Sequence, residues 1–218
     1  LLDTDIAENA WADRTLTHQL YGGDNEHRLK QEILLGIGGI RAMEAMGIHG
    51  NVYHCNEGHA AFMTLERIKN ARQSGHTYQE ARELVRATSL FTTHTPVPAG
   101  HDYFAEDLLY TYFQDYIPEI GLSWREFMAL GRIHRDDSSE PFSMSHLAIH
   151  NCQEINGVSE LHGAVSREMF KELYPGYTET EVPIGYVTNG VHYPTWIATE
   201  WHHLFKEYLA PGFLDDLS

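Results

Sequence analysis

Short strand-like runs alternate with longer amphipathic segments along this chain of 218 residues, and the alternation limits the folds that it can adopt. The runs have the length and the β-branched or aromatic content of strands, and they lie at 51–55, 90–93, 155–158 and 182–187. The other segments have the pattern of helices, as at 24–47, 59–74, 77–87, 106–117, 144–153 and 160–173. At the start of 77–87, Thr77 with Glu80 resembles a capping box. Strands that alternate with helices pair in parallel, so the sequence predicts an α/β fold with a parallel sheet and helices on both of its faces.

The composition argues against several classes of partner. A formal net charge of −16 disfavours nucleic acid and anionic membrane surfaces, because both require a basic protein surface. No apolar run approaches the length of a membrane span. Cys55 and Cys152 fit neither a metal-ligand spacing nor a disulfide framework, which favours a reducing, cytoplasmic compartment. The chain opens without a starting methionine, and we expect it to be a piece of a larger protein.

A buried strand that ends abruptly in a polar turn supplies the first candidate site residue. The run at 90–93 leads into His94, and prolines at 96 and 98 stiffen the turn that follows. Ligands of parallel α/β sheets bind just beyond the carboxyl ends of the strands, which makes His94 a candidate ligand contact. The alternative is a histidine that only satisfies a buried or capping contact. For His101 and Asp102, which follow the turn, we expect structural roles.

A glycine turn at 21–25 precedes the first long helical segment. Asp24 and Asn25 in this turn are both good helix N-caps. They either cap the helix and nothing more, or also stand over a ligand cleft at the start of the helix. The residues alone leave both interpretations open.

The segment 54–59 is dense in side chains that can bind metals, namely His54, Cys55, Glu57 and His59. Zinc requires three or four ligands that converge in space, and this spacing matches no standard zinc pattern. Gly58 would also break a helix that could align the ligands. We therefore predict no metal site here, but a strand that feeds a helix, with Glu57 and His59 as caps or cleft residues.

Two Asn-Gly pairs follow later strand-like runs. Asn156 and Gly157 precede a helical segment, and we expect this strand-to-helix junction to be mostly scaffold. Asn189 and Gly190 follow the run at 182–187, where a turn with nothing bound is the alternative to a ligand contact.

Five of these segments together resemble the α-glucan phosphorylases, which are the glycogen, starch and maltodextrin phosphorylases, and most closely their bacterial branch with shorter loops. The motifs read YGGDNEHRLKQE at 21–32, HCNEGH at 54–59, FTTHTPVPAGHD at 91–102, NGVS at 156–159 and YVTNGVH at 186–192. Their order and spacing carry the resemblance, which extends over about residues 1–196.

The resemblance implies that six residues line one cleft and orient a glucosyl unit: Asp24, Asn25, Glu57, His59, His94 and Asn189. In the family, the histidine that His94 matches contacts the glucosyl 6-hydroxyl together with the asparagine that Asn189 matches. Asp24 matches the aspartate of a mobile gate, which is shorter in this chain than in the animal enzymes. Glu57 stands where the animal enzymes have aspartate.

The resemblance also implies the domain organisation and the cofactor. Residues 1–190 would form the later half of the Rossmann-like N-terminal lobe of a two-lobed glycosyltransferase, and 191–218 the crossover and the start of the second lobe. Phosphorylases bind pyridoxal 5′-phosphate as a Schiff base to a lysine of the second lobe. No lysine of this chain lies in a similar segment, these being Lys30, Lys69, Lys171 and Lys206. We therefore expect the cofactor in the complete protein only, and an inactive isolated chain.

The implied reaction is the reversible phosphorolysis of terminal α-1,4-glucosyl units of glycogen, starch or maltodextrin, which releases glucose 1-phosphate. The implied partners are α-1,4-glucan, inorganic phosphate and glucose 1-phosphate, and a homodimer is compatible with the complete protein. A nucleotide-sugar-dependent glucan synthase is one alternative, although it would lack the RLKQE motif of 28–32. A non-catalytic carbohydrate-binding domain is the other, and it is compatible with the missing lysine.

Overall fold

Two compact units make up the chain, Leu1–Val187 and Thr188–Ser218. The structure is a computed structural model, and it describes residues 2–20, 22–209 and 212–213. Tyr21, the first residue of the predicted glycine turn, lies outside the described residues.

A four-stranded parallel sheet lies at the centre of the first unit. The strands of the unit are β1 (Tyr53–Asn56), β2 (Ser89–Thr92), β3 (Tyr103–Phe104), β4 (Phe142–Ser143), β5 (Glu154–Gly157) and β6 (Gly185–Tyr186). The sheet has the order β1-β2-β5-β6, and β3 pairs with β4 in a separate antiparallel hairpin. In register, Asn56 pairs with Thr92, Thr92 with Asn156, and Asn156 with Gly185. The predicted parallel α/β sheet is therefore confirmed, and its strands end at a common edge.

Helices flank this sheet. They are α1 (Trp11–Arg14), α2 (Asn25–Ile33), α3 (Gly39–Ala45), α4 (Phe62–Gln73), α5 (Tyr78–Ala87), α6 (Glu106–Phe113), α7 (Ile117–Ile120), α8 (Trp124–Met128), α9 (Met144–Asn151) and α10 (Glu160–Phe170). Helices α5 and α9 pack on β2, and α10 packs on β5 and β6. The predicted capping box starts α5: the hydroxyl of Thr77 accepts from the N–H of Glu80, and the Glu80 carboxylate accepts from the N–H of Thr77.

Aromatic side chains fill much of the core between the helices and the sheet. Phe91 is fully buried on β2, and the rings of Phe62 and Phe113 lie 4.8 Å apart between centroids. The rings of Phe127 and Phe142 stack at the same centroid distance, which ties the hairpin strand β4 to α8. Buried aromatic rings contribute large apolar areas, so this cluster accounts for much of the hydrophobic stabilisation of the unit.

A π-helical turn joins α2 and α3 into one continuous helix. The turn spans Leu34–Gly38, and Gly36 within it is buried against α4. A Cβ atom on Gly36 would stand 2.8 Å from the backbone nitrogen of Met63 and 2.8 Å from the Cβ of Phe62. The two helices can therefore approach this closely only where Gly36 has no side chain.

Several predicted elements differ in extent from the observed ones. The strand predicted at 182–187 is reduced to Gly185–Tyr186, and the helix predicted at 106–117 ends at Phe113. The helix predicted to begin at His59 opens with a 3-10 turn, Gly58–Ala60, before α4. The hairpin of β3 and β4 was not predicted, because two-residue strands depend on their distant partner and leave no periodic pattern.

The second unit contains two helices in the part of the chain that the structure describes, α11 (Tyr193–Trp196) and α12 (Thr199–Tyr208). Tyr193 stacks on Phe205 of α12 at a centroid distance of 6.2 Å. None of the described helices in either unit combines the length and the apolar character that a bilayer crossing requires.

Two glycines of the same continuous helix should respond oppositely to substitution by alanine. We expect Gly36→Ala to lower the free energy of unfolding by about 1–3 kcal/mol, because the added methyl group overpacks the contact with α4. We expect Gly39→Ala to raise it by about 0.5–1 kcal/mol, because its Cβ meets open space and alanine restricts the unfolded chain. Urea unfolding followed by circular dichroism measures both, and equal shifts would contradict the assigned packing.

Candidate functional site

The common edge of the parallel strands brings two of the predicted site residues together. Glu57 directly follows β1, and its N–H donates to the carbonyl of Thr92 on β2 over 2.9 Å. His94 lies just beyond the end of β2, where its side chain is exposed. This edge is where parallel α/β sheets bind ligands.

A polar cleft of about 440 Å³ opens beside this edge. Four of the predicted residues line it, namely Asp24, Asn25, Glu57 and His59. His94 is not among the lining residues, although Thr95 next to it is. The other lining residues are Gly22, Gly23, Arg28, Gly58, Gly100, His101, Asp102 and Ser145.

The start of α2 forms one wall of the cleft. The carboxylate of Asp24 accepts a hydrogen bond from the N–H of His27 over 2.9 Å, so Asp24 is the N-cap and Asn25 the first helical residue. Gly23 has φ +84°, and a Cβ there would stand 2.7 Å from the Cβ of His27. A glycine is therefore required to turn the chain into the helix at the cleft. Capping and a position on the cleft wall, which the sequence left as alternatives for Asp24, occur together.

Arg28 connects this helix to the loop that follows β2. Its Nε and Nη2 atoms donate to the two carboxylate oxygens of Asp102, over 3.1 and 3.0 Å. Its Nε atom also lies 3.0 Å from Oε1 of Glu32, one helical turn further along α2. A bidentate arginine–carboxylate pair fixes geometry better than a single contact, so this pair holds the two walls of the cleft together.

Glu32 is buried beneath Arg28 and is neutral at pH 7. Burial raises the pKa of Glu32 from its ordinary 4.5 to about 9, and the negative charge of Asp102 adds to the rise, while Arg28 opposes it. The cluster of Arg28, Glu32 and Asp102 thus holds one positive and one negative charge.

Two histidines of the cleft are held in the neutral form. Burial lowers the pKa of His59, and the positive charge of Arg28 lowers it further. Burial also lowers the pKa of His101, whose Nδ1 atom lies 2.7 Å from the hydroxyl of Ser145. A neutral imidazole carries one donor and one acceptor nitrogen, which suits the hydroxyl groups of an uncharged ligand.

Glu57 adopts a backbone conformation that side chains rarely take. Its φ is 71° and its ψ is 166°, and among the described residues it is the one non-glycine with positive φ. Such a conformation costs about 1–3 kcal/mol and persists where its surroundings enforce it. The Glu57 carboxylate accepts hydrogen bonds from the backbone N–H of His94 and from the hydroxyl of Thr95, the latter over 3.1 Å. The ring Nε2 of His94 lies 2.7 Å from Oδ1 of Asn56.

Sequence reasoning missed four residues of the cleft wall, namely Arg28, His101, Asp102 and Ser145. Arg28 stands one helical turn after the cap residue Asp24, and this spacing could have revealed it. Asp102 was expected to be structural; it does pair with Arg28, but it also lines the cleft, as does His101. Ser145 at the start of α9 reaches the cleft through tertiary packing alone, which no local pattern signals.

Asn189 belongs to the second unit, and its part in a site remains a prediction. It is exposed and follows β6 along the chain. Among the six predicted residues, it is the one that lies outside the first unit.

The cleft, as far as the structure describes its lining, offers no attachment point for a lysine-bound cofactor. None of the described residues that line the cleft is a lysine. Lys30 pairs with Glu26 over 3.5 Å, and Lys69 pairs with Glu119 over 2.7 Å. Over the ranges that the structure describes, no group of three or more histidine, cysteine, aspartate or glutamate side chains is arranged to hold a metal ion.

Comparison with known proteins points to the same family as the sequence motifs. A family model described as carbohydrate phosphorylase matches residues 44–218. The chain belongs to the carbohydrate phosphorylase family. It is 46% identical over 221 residues to a glycogen phosphorylase of Mycobacterium tuberculosis (strain ATCC 25618 / H37Rv), a match that covers 95% of this chain and 25% of that protein. It is 42% identical over 219 residues to a maltodextrin phosphorylase of Thermococcus litoralis, with 99% of this chain and 25% of that protein covered.

A third relative is similar at a lower sequence identity. The chain is 35% identical over 215 residues to a glycogen phosphorylase of Aquifex aeolicus, with 99% of this chain and 30% of that protein covered. The chain therefore spans about a quarter of the length of the first two of these phosphorylases. The family suggested by the motifs is thus confirmed, for a segment of a phosphorylase.

The raised pKa of Glu32 predicts how stability depends on pH. A proton that Glu32 binds more tightly in the folded state stabilises that state fully below the unfolded-state pKa of about 4.5. This contribution is lost as the pH rises towards about 9. We expect the free energy of unfolding to fall across this interval by up to about 1.4 kcal/mol per pH unit. In Glu32→Gln, which cannot titrate, this decline should be absent.

Urea unfolding at several pH values between 5 and 9, roughly the interval over which the proton is lost, measures this dependence. Glu168→Gln is the matched control, because Glu168 is an exposed glutamate of α10. The control should keep the wild-type slope. A Glu32→Gln variant with the same slope as the wild type would contradict a neutral Glu32.

Proposed function

We propose that this chain is the sugar-orienting part of an α-glucan phosphorylase. The complete protein would catalyse reversible phosphorolysis of terminal α-1,4-glucosyl units of glycogen, starch or maltodextrin, with glucose 1-phosphate as product. One observation carries the proposal: Asp24, Asn25, Glu57 and His59 converge on one polar cleft at the ligand-binding edge of the sheet. These residues come from motifs that are far apart in sequence and that resemble the same family.

The chemistry of the cleft suits a neutral polyol. The carboxylate of Asp24 can accept hydrogen bonds from hydroxyl groups, and the neutral imidazole of His59 can both donate and accept. The positive charge of Arg28 is balanced by Asp102. A glucosyl unit offers several hydroxyl groups in a fixed arrangement, and a set of fixed partners can hold it in a reactive orientation.

The proposal gives His94 and Asn189 a shared role. Both would contact the 6-hydroxyl of the glucosyl unit in the complete protein, as the family resemblance implies. In the domain organisation that we propose, residues 1–190 form the later half of the N-terminal lobe, and 191–218 form the crossover to the second lobe.

In this proposal, the cofactor and the oligomeric assembly are properties of the complete protein. The resemblance implies pyridoxal 5′-phosphate, but the cleft residues described above include no lysine that could bind it. That lysine would come from a part of the protein outside this chain. We also propose a cytoplasmic location, where glucan and inorganic phosphate are available, and a homodimer as the assembly to test.

The decisive assay uses the complete protein to which this segment belongs. It is incubated with maltoheptaose and inorganic phosphate, with and without added pyridoxal 5′-phosphate, and glucose 1-phosphate is measured. Cofactor-dependent product supports the proposal. Transfer from a nucleotide-sugar donor without phosphorolysis would replace it with a glucan synthase. Glucan binding without either reaction would replace it with a carbohydrate-binding domain.

Two substitutions test the site assignment in the same protein. His94→Ala and Asn189→Ala should each lower kcat/KM by about tenfold or more, because each removes a hydrogen bond worth about 1.5 kcal/mol in the transition state. His76→Ala is the matched control, since His76 is exposed in the turn between α4 and α5. Wild-type kcat/KM in both site variants would overturn the assignment.

A further inference from the structure

The end of β1 departs from the alternation of an ordinary strand. Consecutive side chains of an extended strand point to opposite faces of the sheet, so neighbouring residues do not contact the same group. Asn56 is the last residue of β1 and Glu57 is the next residue. The positive φ of Glu57 interrupts the extended conformation at this point. Both side chains consequently reach a single residue, His94.

The two contacts hold different parts of His94. Oδ1 of Asn56 lies 2.7 Å from the ring Nε2, while the carboxylate of Glu57 accepts from the backbone N–H. The same Glu57 oxygen accepts from the hydroxyl of Thr95 over 3.1 Å. The ring is therefore held by one neighbour and the main chain by the other, at the point where the loop leaves β2.

We propose that Asn56 and Glu57 form a clamp that positions His94, and that Glu57 serves the reaction through this clamp. The proposal rests on the function proposed above, in which His94 contacts the glucosyl unit. An amide oxygen can only accept, so the contact with Asn56 keeps the proton on Nε2 of His94. The other ring nitrogen, Nδ1, is then an acceptor for a sugar hydroxyl. Glu57 holds the backbone N–H of His94 and so fixes the position of this residue relative to the ends of the strands.

The strained backbone supports this role for Glu57. Glycine would adopt φ 71° without strain, whereas glutamate does so at a cost in stability. If the only role of this residue were to form the turn, glycine at position 57 would give the more stable protein. The carboxylate is the feature that glycine lacks, and its partners are His94 and Thr95.

Three substitutions of Glu57 in the complete protein separate the clamp from its alternatives. Glu57→Gly removes the carboxylate and relieves the backbone, so we expect a melting temperature at or above that of the wild type with kcat/KM lowered about tenfold or more. Glu57→Ala should lose as much activity and also melt at a lower temperature. Glu57→Gln keeps an oxygen that can accept from both partners, and it should retain kcat/KM within about threefold of the wild type.

A spectroscopic readout makes the test independent of turnover. With selective 15N labelling of histidine, the backbone amide proton of His94 should move upfield in Glu57→Gly and stay near its wild-type shift in Glu57→Gln, because a hydrogen bond to the side-chain oxygen at position 57 deshields it. Full activity in Glu57→Gly would overturn the proposal. So would a Glu57→Gln variant that keeps the His94 shift but is as inactive as Glu57→Gly, since Glu57 would then contact the sugar directly.

A double-mutant cycle tests the action of Asn56 through His94. Asn56→Ala should lower kcat/KM about threefold or more in the wild type and leave it unchanged in the His94→Ala background, because the partner of Asn56 is the ring that this background lacks. Additive losses would overturn the proposal. Failure of the proposed function is distinguishable from failure of the clamp, because it would appear as absent phosphorolysis in the wild type.

Discussion

The register of β1 against β2 is the constraint on which the candidate site depends. It pairs Asn56 with Thr92, so that the residues that follow each strand meet at one edge. A shift of one residue would turn every side chain of β1 to the opposite face of the sheet, and Glu57 could no longer reach the loop of His94. Cys55 of β1, which is buried and pairs with Phe91 of β2, opposes such a shift, because the shift would expose its side chain.

A second constraint acts across the cleft, between the start of α2 and the loop after β2. Asp24 and Gly23 turn the chain into the helix, and the bidentate pair of Arg28 and Asp102 ties that helix to the loop. The pair is balanced in charge because Glu32 stays protonated. Hydrogen-bonding groups rather than net positive charge therefore dominate this cleft.

The predictions from sequence succeeded where the signal is local. Hydrophobic spacing identified the parallel sheet and its flanking helices, and the sequence of Thr77 to Glu80 identified a capping box that the structure contains. Four of the six predicted site residues line one cleft, because residues that follow parallel strands and start helices converge by topology. The positive φ of Glu57 was beyond prediction, since the neighbouring Gly58 would be the expected residue for such a conformation. The contacts of Ser145 and Asp102 depend on packing between distant segments, which local patterns do not encode.

The π turn at Leu34–Gly38 has a consequence for how this helix can change. The turn contains about one residue more than a turn of an α-helix, and it therefore rotates α2 relative to α3 about the helix axis. Arg28 faces the cleft before the turn, while Ile37 and Ile40 face the core within and after it. Deletion of one residue from 34–38 would restore a regular helix and rotate the two parts by about 100° against each other. The length of this segment is therefore fixed, because α2 must present Arg28 to the cleft while the residues after the turn remain buried in the core.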